Sequence, residues 1–213
     1  MTVLGRSEDE RRATPSAAVV ALVLAAGRGA RFTGGTKQLA VVAGRPLVAH
    51  AVATARAGGV DRVVVVVGHD GDAVAAAARM EDAEVQIVTN PDHALGQSTS
   101  LAAGIRAVAH DERARVAVVL LADQPGVGAE PVRAVAAAVR GGVPAARASY
   151  ADLPGHPIAF ARELFDRLTG VEGDAGARHL LAELDLAHVL VAGAAPLDVD
   201  TVEDLATVRA SLE

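Results

Sequence analysis

The sequence predicts a single α/β domain of three layers, in which helices cover both faces of a mostly parallel, mixed sheet. Short apolar runs rich in valine alternate along the chain with longer, alanine-rich segments, and glycine or polar residues separate them. This alternation is typical of consecutive strand–helix–strand units, which build parallel sheets. The chain has 213 residues, of which 51% are hydrophobic, so it is long enough to bury one such core.

The apolar runs predict the strands, because β-branched residues bounded by turn residues favour buried strands. These strands are Val19–Ala25, Arg62–Val67, Glu84–Thr89, Arg115–Ala122, Val143–Ala148, Gly155–Phe160 and His188–Val191. The alanine-rich segments predict the helices, with a proline opening the first and glycine pairs ending two of them. These helices are Pro46–Ala57, Asp72–Met80, Gln97–Ala109, Ala129–Arg140, Glu163–Leu168, Ala175–Leu184 and Val202–Leu212.

Loops at the carboxyl ends of the strands are the expected place for a ligand, since open parallel sheets bind ligands there. Three such loops carry polar or glycine-rich sequence, namely Gly27–Lys37, Asn90–Ser100 and Asp123–Pro125. The sequence therefore predicts one site built from these three segments.

Amino-acid composition and net charge exclude several classes of function. The absence of cysteine excludes disulfides, thiolate catalysis and cysteine-ligated zinc. The net charge of −6 argues against a nucleic-acid partner. No apolar run reaches the roughly 18 residues of a membrane span. Residues 1–17 are polar and predict a disordered tail before a domain at 18–213. We expect a cytoplasmic protein with a small-molecule substrate.

The amino-terminal part of this acidic protein is cationic. No aspartate or glutamate occurs between Arg11 and Val60, and Lys37 is the only lysine in a chain that otherwise uses arginine. A lysine is a compact point charge, which suits a phosphate held in a narrow site. The alternatives are a solvated basic face and a lysine placed by accident.

A glycine-rich loop, Gly27-Arg-Gly-Ala-Arg-Phe32, follows the first strand. It lacks the third glycine of a dinucleotide-binding fingerprint, and no carboxylate follows until Asp61. It is not a P-loop either. A glycine turn flanked by cations still suits a polyphosphate, because backbone N–H groups can approach the oxygens closely.

Leu24-Ala-Ala-Gly27, then Arg31-Phe32 and Lys37, resemble the signature of the NTP-transferase superfamily. This resemblance implies a Rossmann-like nucleotidyltransferase fold. It implies that Leu24, Ala25, Ala26, Gly27 and Gly29 bind the nucleotide. Arg31 and Lys37 would hold the triphosphate and act in catalysis by stabilising the charge of the departing pyrophosphate.

Two aspartate motifs predict a Mg²⁺ site. Ala122-Asp-Gln-Pro125 resembles the Gly-Asp-Gln-Pro segment of the superfamily, and Leu197-Asp-Val-Asp-Thr201 resembles its Asp-Ile-Asp-Thr segment. The resemblance implies that Asp123, a catalytic residue, holds Mg²⁺ together with Asp198 or Asp200. The alternative is a turn aspartate and a helix cap.

Asn90, Gly96 and Ser98 resemble the segment that contacts base and ribose in that superfamily; the alternative is an ordinary loop and helix cap. Gly155-His-Pro157 and Gly173-Asp-Ala-Gly-Ala-Arg178 resemble the molybdenum cofactor cytidylyltransferase group. That resemblance implies that His156, Asp174 and Arg178 face a phosphorylated pterin acceptor. A buried structural histidine and a glycine turn are the alternatives.

The expected reaction is transfer of CMP from CTP to molybdopterin-bound molybdenum, with a client molybdoenzyme as a further partner. We expect CTP rather than GTP because the side chain of Ala26 would crowd a larger base. Guanylyltransferases and sugar-phosphate nucleotidyltransferases are alternatives within the superfamily. A carrier that delivers the pterin cofactor and a dinucleotide-dependent oxidoreductase are alternatives outside it. A requirement for Mg²⁺ in nucleotide binding would indicate the transferase, because an oxidoreductase would not need the metal.

Overall fold

The computed structural model describes residues 18–151, 153–170, 182–184 and 186–212. The tail predicted at 1–17, the acceptor residues Asp174 and Arg178, and most of the helix predicted at Ala175–Leu184 lie outside the described residues.

Seven strands form one sheet in the order β5-β4-β1-β6-β8-β7-β9. They are β1 (Ala18–Ala25), β4 (Arg62–Val67), β5 (Gln86–Thr89), β6 (Ala114–Leu121), β7 (Ala145–Tyr150), β8 (Leu153–Ala161) and β9 (Leu186–Val191). In this sheet β8 runs antiparallel to both its neighbours, and the other adjacent pairs are parallel. The predicted mostly parallel, mixed sheet is confirmed.

Helices pack on both faces of this sheet. The helices are α1 (Leu47–Ala57), α2 (Gly71–Glu81), α3 (Gln97–Ala109), α4 (Ala129–Arg140), α5 (Phe165–Thr169) and α6 (Val202–Leu212). Alternate residues of β1 explain the three layers. Ala21 and Val23 face the cluster that contains α1, α2 and α4, whereas Leu22 and Leu24 face the cluster that contains α3 and α5. Both faces of β1 are therefore apolar, as a central parallel strand requires.

Gly104 lets α3 approach the sheet closely. A Cβ atom at this position would lie 2.2 Å from Leu22 Cδ1 and 2.9 Å from Val66 Cγ2. Both neighbours are fully buried. The close approach fixes the amino-terminal end of α3 next to the carboxyl ends of β1 and β4, where the predicted site lies.

A two-stranded hairpin, β2 (Val41–Val42) with β3 (Arg45–Pro46), was not predicted. Its turn residues Ala43 and Gly44 both have positive φ, 44° and 75°, which matches a tight hairpin turn. Two-residue strands carry no periodic pattern, and Ala-Gly is a weaker turn signal than Asn-Gly. Pro46 was predicted to lie within the first helix, but it pairs with Val41 and α1 begins at Leu47.

A small third cluster lies away from the sheet. Phe32, Val42, Leu47, Val199 and Leu205 are among its buried members. It packs the glycine-rich loop against the segment that precedes α6. Among the described residues, no helix combines the length and apolarity needed to cross a membrane.

Candidate active site

Lys37 lies at the centre of an ionic network beyond the carboxyl ends of β1 and β6. Its Nζ donates to Asp123 Oδ2 at 2.6 Å and to Asp200 Oδ1 at 3.0 Å. Arg31 donates from a guanidinium nitrogen to the other oxygen of Asp200 at 2.7 Å. Four residues predicted from three separate motifs therefore meet in one network.

The loop after β1 places Lys37 there. A short 3₁₀ turn begins at Lys37, and Gln38 Nε2 donates to the carbonyl of Gly27 at 2.8 Å, which closes the loop. Gly29 has φ of +59°, and a Cβ atom there would lie 3.0 Å from Lys37 Cβ. Gly29 therefore meets two requirements at once, a left-handed backbone and close contact with the lysine stem.

The environment of Lys37 favours its charged form. Its side chain is 8% exposed, against 74% for Arg31. Burial opposes the charge, but the carboxylates of Asp123 and Asp200 raise the pKa of Lys37 above its ordinary value. Lys37 is thus a buried ammonium ion held between two carboxylates, whereas the guanidinium of Arg31 is mostly exposed.

Asp198 and Asp200 flank the buried Val199, so both side chains face the site. Val199 N donates to the carbonyl of Asp123 at 2.9 Å, which ties this segment to the end of β6. Asp198 Oδ1 accepts from Gln124 Nε2 at 2.5 Å. Burial and the neighbouring carboxylates Asp123 and Asp200 raise the pKa of Asp198 above its ordinary value.

A capping box holds the end of this segment. Thr201 Oγ1 accepts from the backbone N–H of Asp204 at 3.1 Å, and an Asp204 carboxylate oxygen accepts from the backbone N–H of Thr201 at 2.8 Å. The same oxygen accepts from the N–H of Asp200 at 3.1 Å. The helix cap that the sequence left as the alternative in this segment is thus formed by Thr201, and it also positions Asp200.

A first cavity, of about 460 Å³, opens beside this network. Its lining includes Leu24, Ala26, Gly27, Arg28, Gly29, Lys37, Gln38, His93, Gly96, Gln97, Ser100, Leu121, Asp123, Asp198 and Asp200. Its volume suits a nucleotide-sized ligand. One wall is the glycine-rich loop and the opposite wall is the start of α3, so the predicted loops do form one site.

Not every predicted nucleotide-binding residue lines this cavity. Ala25 is buried in the core between the sheet and α1. Asn90 is 3% exposed, and its amide donates to the hydroxyls of Thr99 and Ser100 at 2.8 and 2.9 Å. Ser98 is 1% exposed. Asn90 and Ser98 are therefore placed to support the first turn of α3, and their contact with base or ribose stays a prediction.

The carboxylates fit a divalent cation in part. Asp123 Oδ1 is buried and has no hydrogen-bond partner among the described residues, so this oxygen is free to coordinate a hard cation. Within the described ranges, however, no three His, Asp or Glu side chains are grouped to hold a metal. The Lys37 ammonium lies between Asp123 and Asp200, and Asp198 turns toward Gln124.

A second cavity, of about 530 Å³, adjoins the first. Its lining is Arg31, Gln124, Pro154, Gly155, His156, Ala195, Pro196, Leu197, Asp198, Asp200 and Asp204. Asp198 and Asp200 line both cavities. Arg31, predicted to bind the triphosphate, lines the second cavity and is absent from the wall of the first.

His156 lines this second cavity, and its predicted contact with an acceptor stays a prediction. Burial and, to a smaller extent, the cation of Arg147 lower the pKa of His156 to about 4, and the carboxylate of Asp123 opposes the shift. The imidazole is therefore neutral at pH 7, and its N–H is a hydrogen-bond donor without charge.

Sequence reasoning missed Gln38, Gln124 and Arg147. Gln38 donates to the carbonyl of Gly27, and Gln124 donates to Asp198. Each directly follows a predicted charged residue, so their adjacency to Lys37 and Asp123 was the available signal. Arg147 lies in the middle of β7, in a segment without a motif, and no sequence signal pointed to it.

The fold and the site together define a nucleotidyltransferase: a mostly parallel three-layer sheet carries a lysine–carboxylate centre at its carboxyl edge, between two cavities. The chain belongs to the family with a MobA-like NTP transferase domain, whose family model matches residues 21–189.

Similar proteins carry several different names. Nicotine blue oxidoreductase of Paenarthrobacter nicotinovorans is 36% identical over 198 residues, which cover 88% of this chain and 94% of that protein. The 3-deoxy-manno-octulosonate cytidylyltransferase of Anaeromyxobacter sp. (strain K) is 41% identical over 126 residues, 58% of this chain and 48% of that enzyme.

Among solved structures, Rv0371c of Mycobacterium tuberculosis H37Rv is similar along nearly all of its length. It is 30% identical, with a TM-score of 0.80, and the match covers 92% of this chain and 100% of that one. A structure of Rv0371c in complex with manganese matches at 28% identity and a TM-score of 0.74, covering 92% and 99%. The predicted nucleotidyltransferase fold is confirmed.

Proposed function

We propose that this protein is a Mg²⁺-dependent cytidylyltransferase that transfers CMP from CTP to molybdenum cofactor and releases pyrophosphate. One observation carries the proposal: Asp198 and Asp200 line both cavities, beside the ammonium ion of Lys37. A transfer between two substrates requires both of them to reach the same charged groups, and two adjoining cavities provide this.

CTP would occupy the first cavity. The backbone of Gly27 and Gly29 would face the phosphates, and Lys37 would exchange a carboxylate partner for a phosphate oxygen. An oxygen of the acceptor phosphate attacks the α-phosphorus, the bond to the α–β bridging oxygen breaks, and pyrophosphate leaves with that electron pair. Positioning and charge neutralisation suffice for this chemistry, so no side-chain nucleophile is required.

Asp123, with Asp198 or Asp200, would hold the Mg²⁺, which when bound would neutralise charge on the phosphate oxygens. The unpartnered Oδ1 of Asp123 supports this assignment. The manganese complex of Rv0371c supports a divalent cation in the family. The choice of Mg²⁺ among such cations is our proposal.

Two observations support CTP over GTP. Ala26 is 3% exposed, and its methyl group lies on the cavity wall with Leu24 and Leu121, so that it narrows the space for a base. A relative that shares 41% identity over the matched region is named a cytidylyltransferase. A guanine ring would need more room at Ala26.

The acceptor would occupy the second cavity. His156 supports this, because its neutral imidazole can donate to a phosphate oxygen there. The Gly155-His-Pro157 motif, with Asp174 and Arg178, supports a phosphorylated pterin. A molybdoenzyme would then receive the finished cofactor.

Pyrophosphate release tests the proposal. Purified protein with Mg²⁺ and molybdenum cofactor is given CTP or GTP, and a sugar 1-phosphate replaces the cofactor in a parallel reaction. We expect release with CTP and molybdenum cofactor. Release with GTP alone would indicate a guanylyltransferase, and release with sugar phosphate alone a sugar nucleotidyltransferase. Tight cofactor binding without any release would indicate a carrier.

An oxidoreductase is a second candidate, since the relative matched over 88% of this chain is named nicotine blue oxidoreductase. Nicotinamide dinucleotide binding measured by fluorescence in EDTA separates the two functions. The transferase requires the cation for tight nucleotide binding, whereas an oxidoreductase binds its dinucleotide without it.

A further inference from the structure

Arg147 differs from the other half-buried arginines. Four arginines of the described residues are partly buried: Arg56, Arg62, Arg147 and Arg162. Arg56 and Arg62 form ion pairs with Asp82 and Asp111. Arg162 donates to the backbone carbonyls of residues 109, 111 and 114 at 3.0 Å each. Arg56 and Arg162 are thus hydrogen-bonded within the fold, and Arg62, whose Nε and one terminal nitrogen lack a hydrogen bond, still has the carboxylate of Asp111 at 3.4 Å.

Arg147 has no such partner. Its Nε is buried without a hydrogen bond, and no ion pair or hydrogen bond of its guanidinium occurs within the described part of the chain. Burial lowers the pKa of Arg147, because removing a cation from water disfavours its charged form. A half-buried cation with no counter-ion destabilises a fold unless something else compensates for it.

Arg147 lies on β7, beside the strand β8 that carries His156 of the second cavity. On β7, Arg147 pairs with Ile158 of β8, and the strand register shifts between Arg147 and Ser149. Such a bulge turns side chains out of the regular pleat. His156, two residues before Ile158, lies on the wall of the second cavity. The charge of Arg147 contributes to the lowered pKa of His156.

The described lining of the second cavity is mostly acidic. Asp198, Asp200 and Asp204 line it, and Arg31 is its lining cation. Because Arg31 is paired with Asp200, no cation of the described lining is left to offset Asp198 and Asp204 when an anionic acceptor binds. Arg147, whose charge acts on His156, is a cation that has no carboxylate partner among the described residues.

We propose that Arg147 and His156 together bind a phosphate group of the acceptor. The planar guanidinium can donate two parallel hydrogen bonds to phosphate oxygens, and the neutral imidazole can donate a third. The inference rests on the proposed transfer function for the identity of the acceptor. The phosphate site itself follows from the unpaired cation.

Arginine Nε–H resonances of the ¹⁵N-labelled full chain test the inference. Inorganic phosphate is titrated at constant ionic strength, with and without saturating CTP and Mg²⁺ to fill the first cavity. The Arg147 resonance is the one missing from the spectrum of Arg147→Lys. We expect it to shift saturably with phosphate in both series, and to respond less to acetate. No shift, or an equal shift with acetate, overturns the assignment of a phosphate site.

Thermal unfolding gives a second readout. Phosphate is expected to raise the unfolding temperature of the wild type and of Arg147→Lys, but not of Arg147→Met. The exposed Arg140→Met variant controls for the loss of one positive charge and should keep the response. Without phosphate, Arg147→Met should unfold about 2–4 °C higher than wild type, since an unpaired buried charge is gone. A retained phosphate response in Arg147→Met overturns the proposal; if that variant fails to fold, the wild-type titration still decides.

Failure of this inference is distinguishable from failure of the proposed function. Calorimetry of CTP with Mg²⁺ on the same samples reports the nucleotide site alone. Normal CTP binding with an unmoved Arg147 resonance refutes the phosphate site and leaves the transferase standing. Absent CTP binding with a shifted Arg147 resonance refutes the transferase and leaves the phosphate site standing.

Discussion

The two halves of the sheet differ in whether their buried cations have carboxylate partners. In the half that contains β5, β4, β1 and β6, the site cation Lys37 is paired with carboxylates of the same chain. In the half that contains β8, β7 and β9, Arg147 has no partner among the described residues and His156 is held neutral. The charges of the first half are therefore preorganised before a ligand binds, whereas the described residues of the second half supply no counter-ion for Arg147. A preorganised charge centre is suited to catalysis, and an unpaired buried charge is suited to recognition.

The largest expected effect comes from breaking the preorganised half. We predict that Lys37→Ala and Asp123→Ala each lower pyrophosphate release at least about 10³-fold, because a buried donor or carboxylate at the reacting charges is lost. Circular dichroism should show an intact fold, since Asp200 retains Arg31 as a partner in both variants. Arg28→Ala, at an exposed position of the same cavity, is the control and should keep most activity. Near-native activity of either variant would show that the role assigned to that residue is wrong.

The next effect belongs to the second half and concerns acid stability. The folded-state pKa of His156 is about 4, below the 6.5 of an unperturbed histidine. As pH falls below 6.5, His156 binds a proton in the unfolded chain but not in the folded one. The free energy of unfolding therefore decreases until pH reaches about 4. We expect a loss of about 1–3 kcal/mol over this window.

His156→Gln should remove that loss. Urea unfolding at pH 7 and pH 4.5 measures it, with the exposed His110→Gln as the matched control. The difference between wild type and His156→Gln should grow on acidification, while the control follows the wild type. A parallel pH dependence for all three proteins would contradict a half-buried His156 that is neutral in the folded state.

The half of the sheet with paired charges could be predicted from the sequence more completely than the half that contains Arg147. The helices Gln97–Ala109, Ala129–Arg140 and Val202–Leu212 and the strand Arg62–Val67 match their predicted bounds, because local periodicity and end signals define them. Lys37 and Asp123 were predicted because short motifs place them at strand ends. Arg147 was not, because its lack of a partner depends on which strands become its neighbours, and those contacts are long-range. The β2–β3 hairpin was missed because two-residue strands have no period to detect.

A smaller effect is expected at the wall of the first cavity. Ala26→Gly removes the methyl group that faces the base, and we predict a shift of about tenfold toward GTP in the ratio of kcat/KM for CTP and GTP, the usual size for one methyl or methylene group in a pocket. Ala25→Gly, at the adjacent buried position that does not line the cavity, is the matched control. If both variants shift the ratio equally, Ala26 is not part of a base filter.

The smallest effect tests how rigidly the preorganised half is held. Thr201→Ala removes the hydroxyl that caps α6 and should lower the free energy of unfolding by about 1 kcal/mol. Thr207→Ala removes a hydroxyl that donates to the carbonyl of Glu203 within the same helix, and it should cost less, since no helix end depends on it. Because Asp204 also accepts from the N–H of Asp200, loss of the cap should loosen Asp200 and weaken Mn²⁺ binding, measured by electron paramagnetic resonance with CTP present. A destabilised Thr201→Ala variant with unchanged Mn²⁺ affinity would mean that Asp200 is held by Lys37 and Arg31 alone.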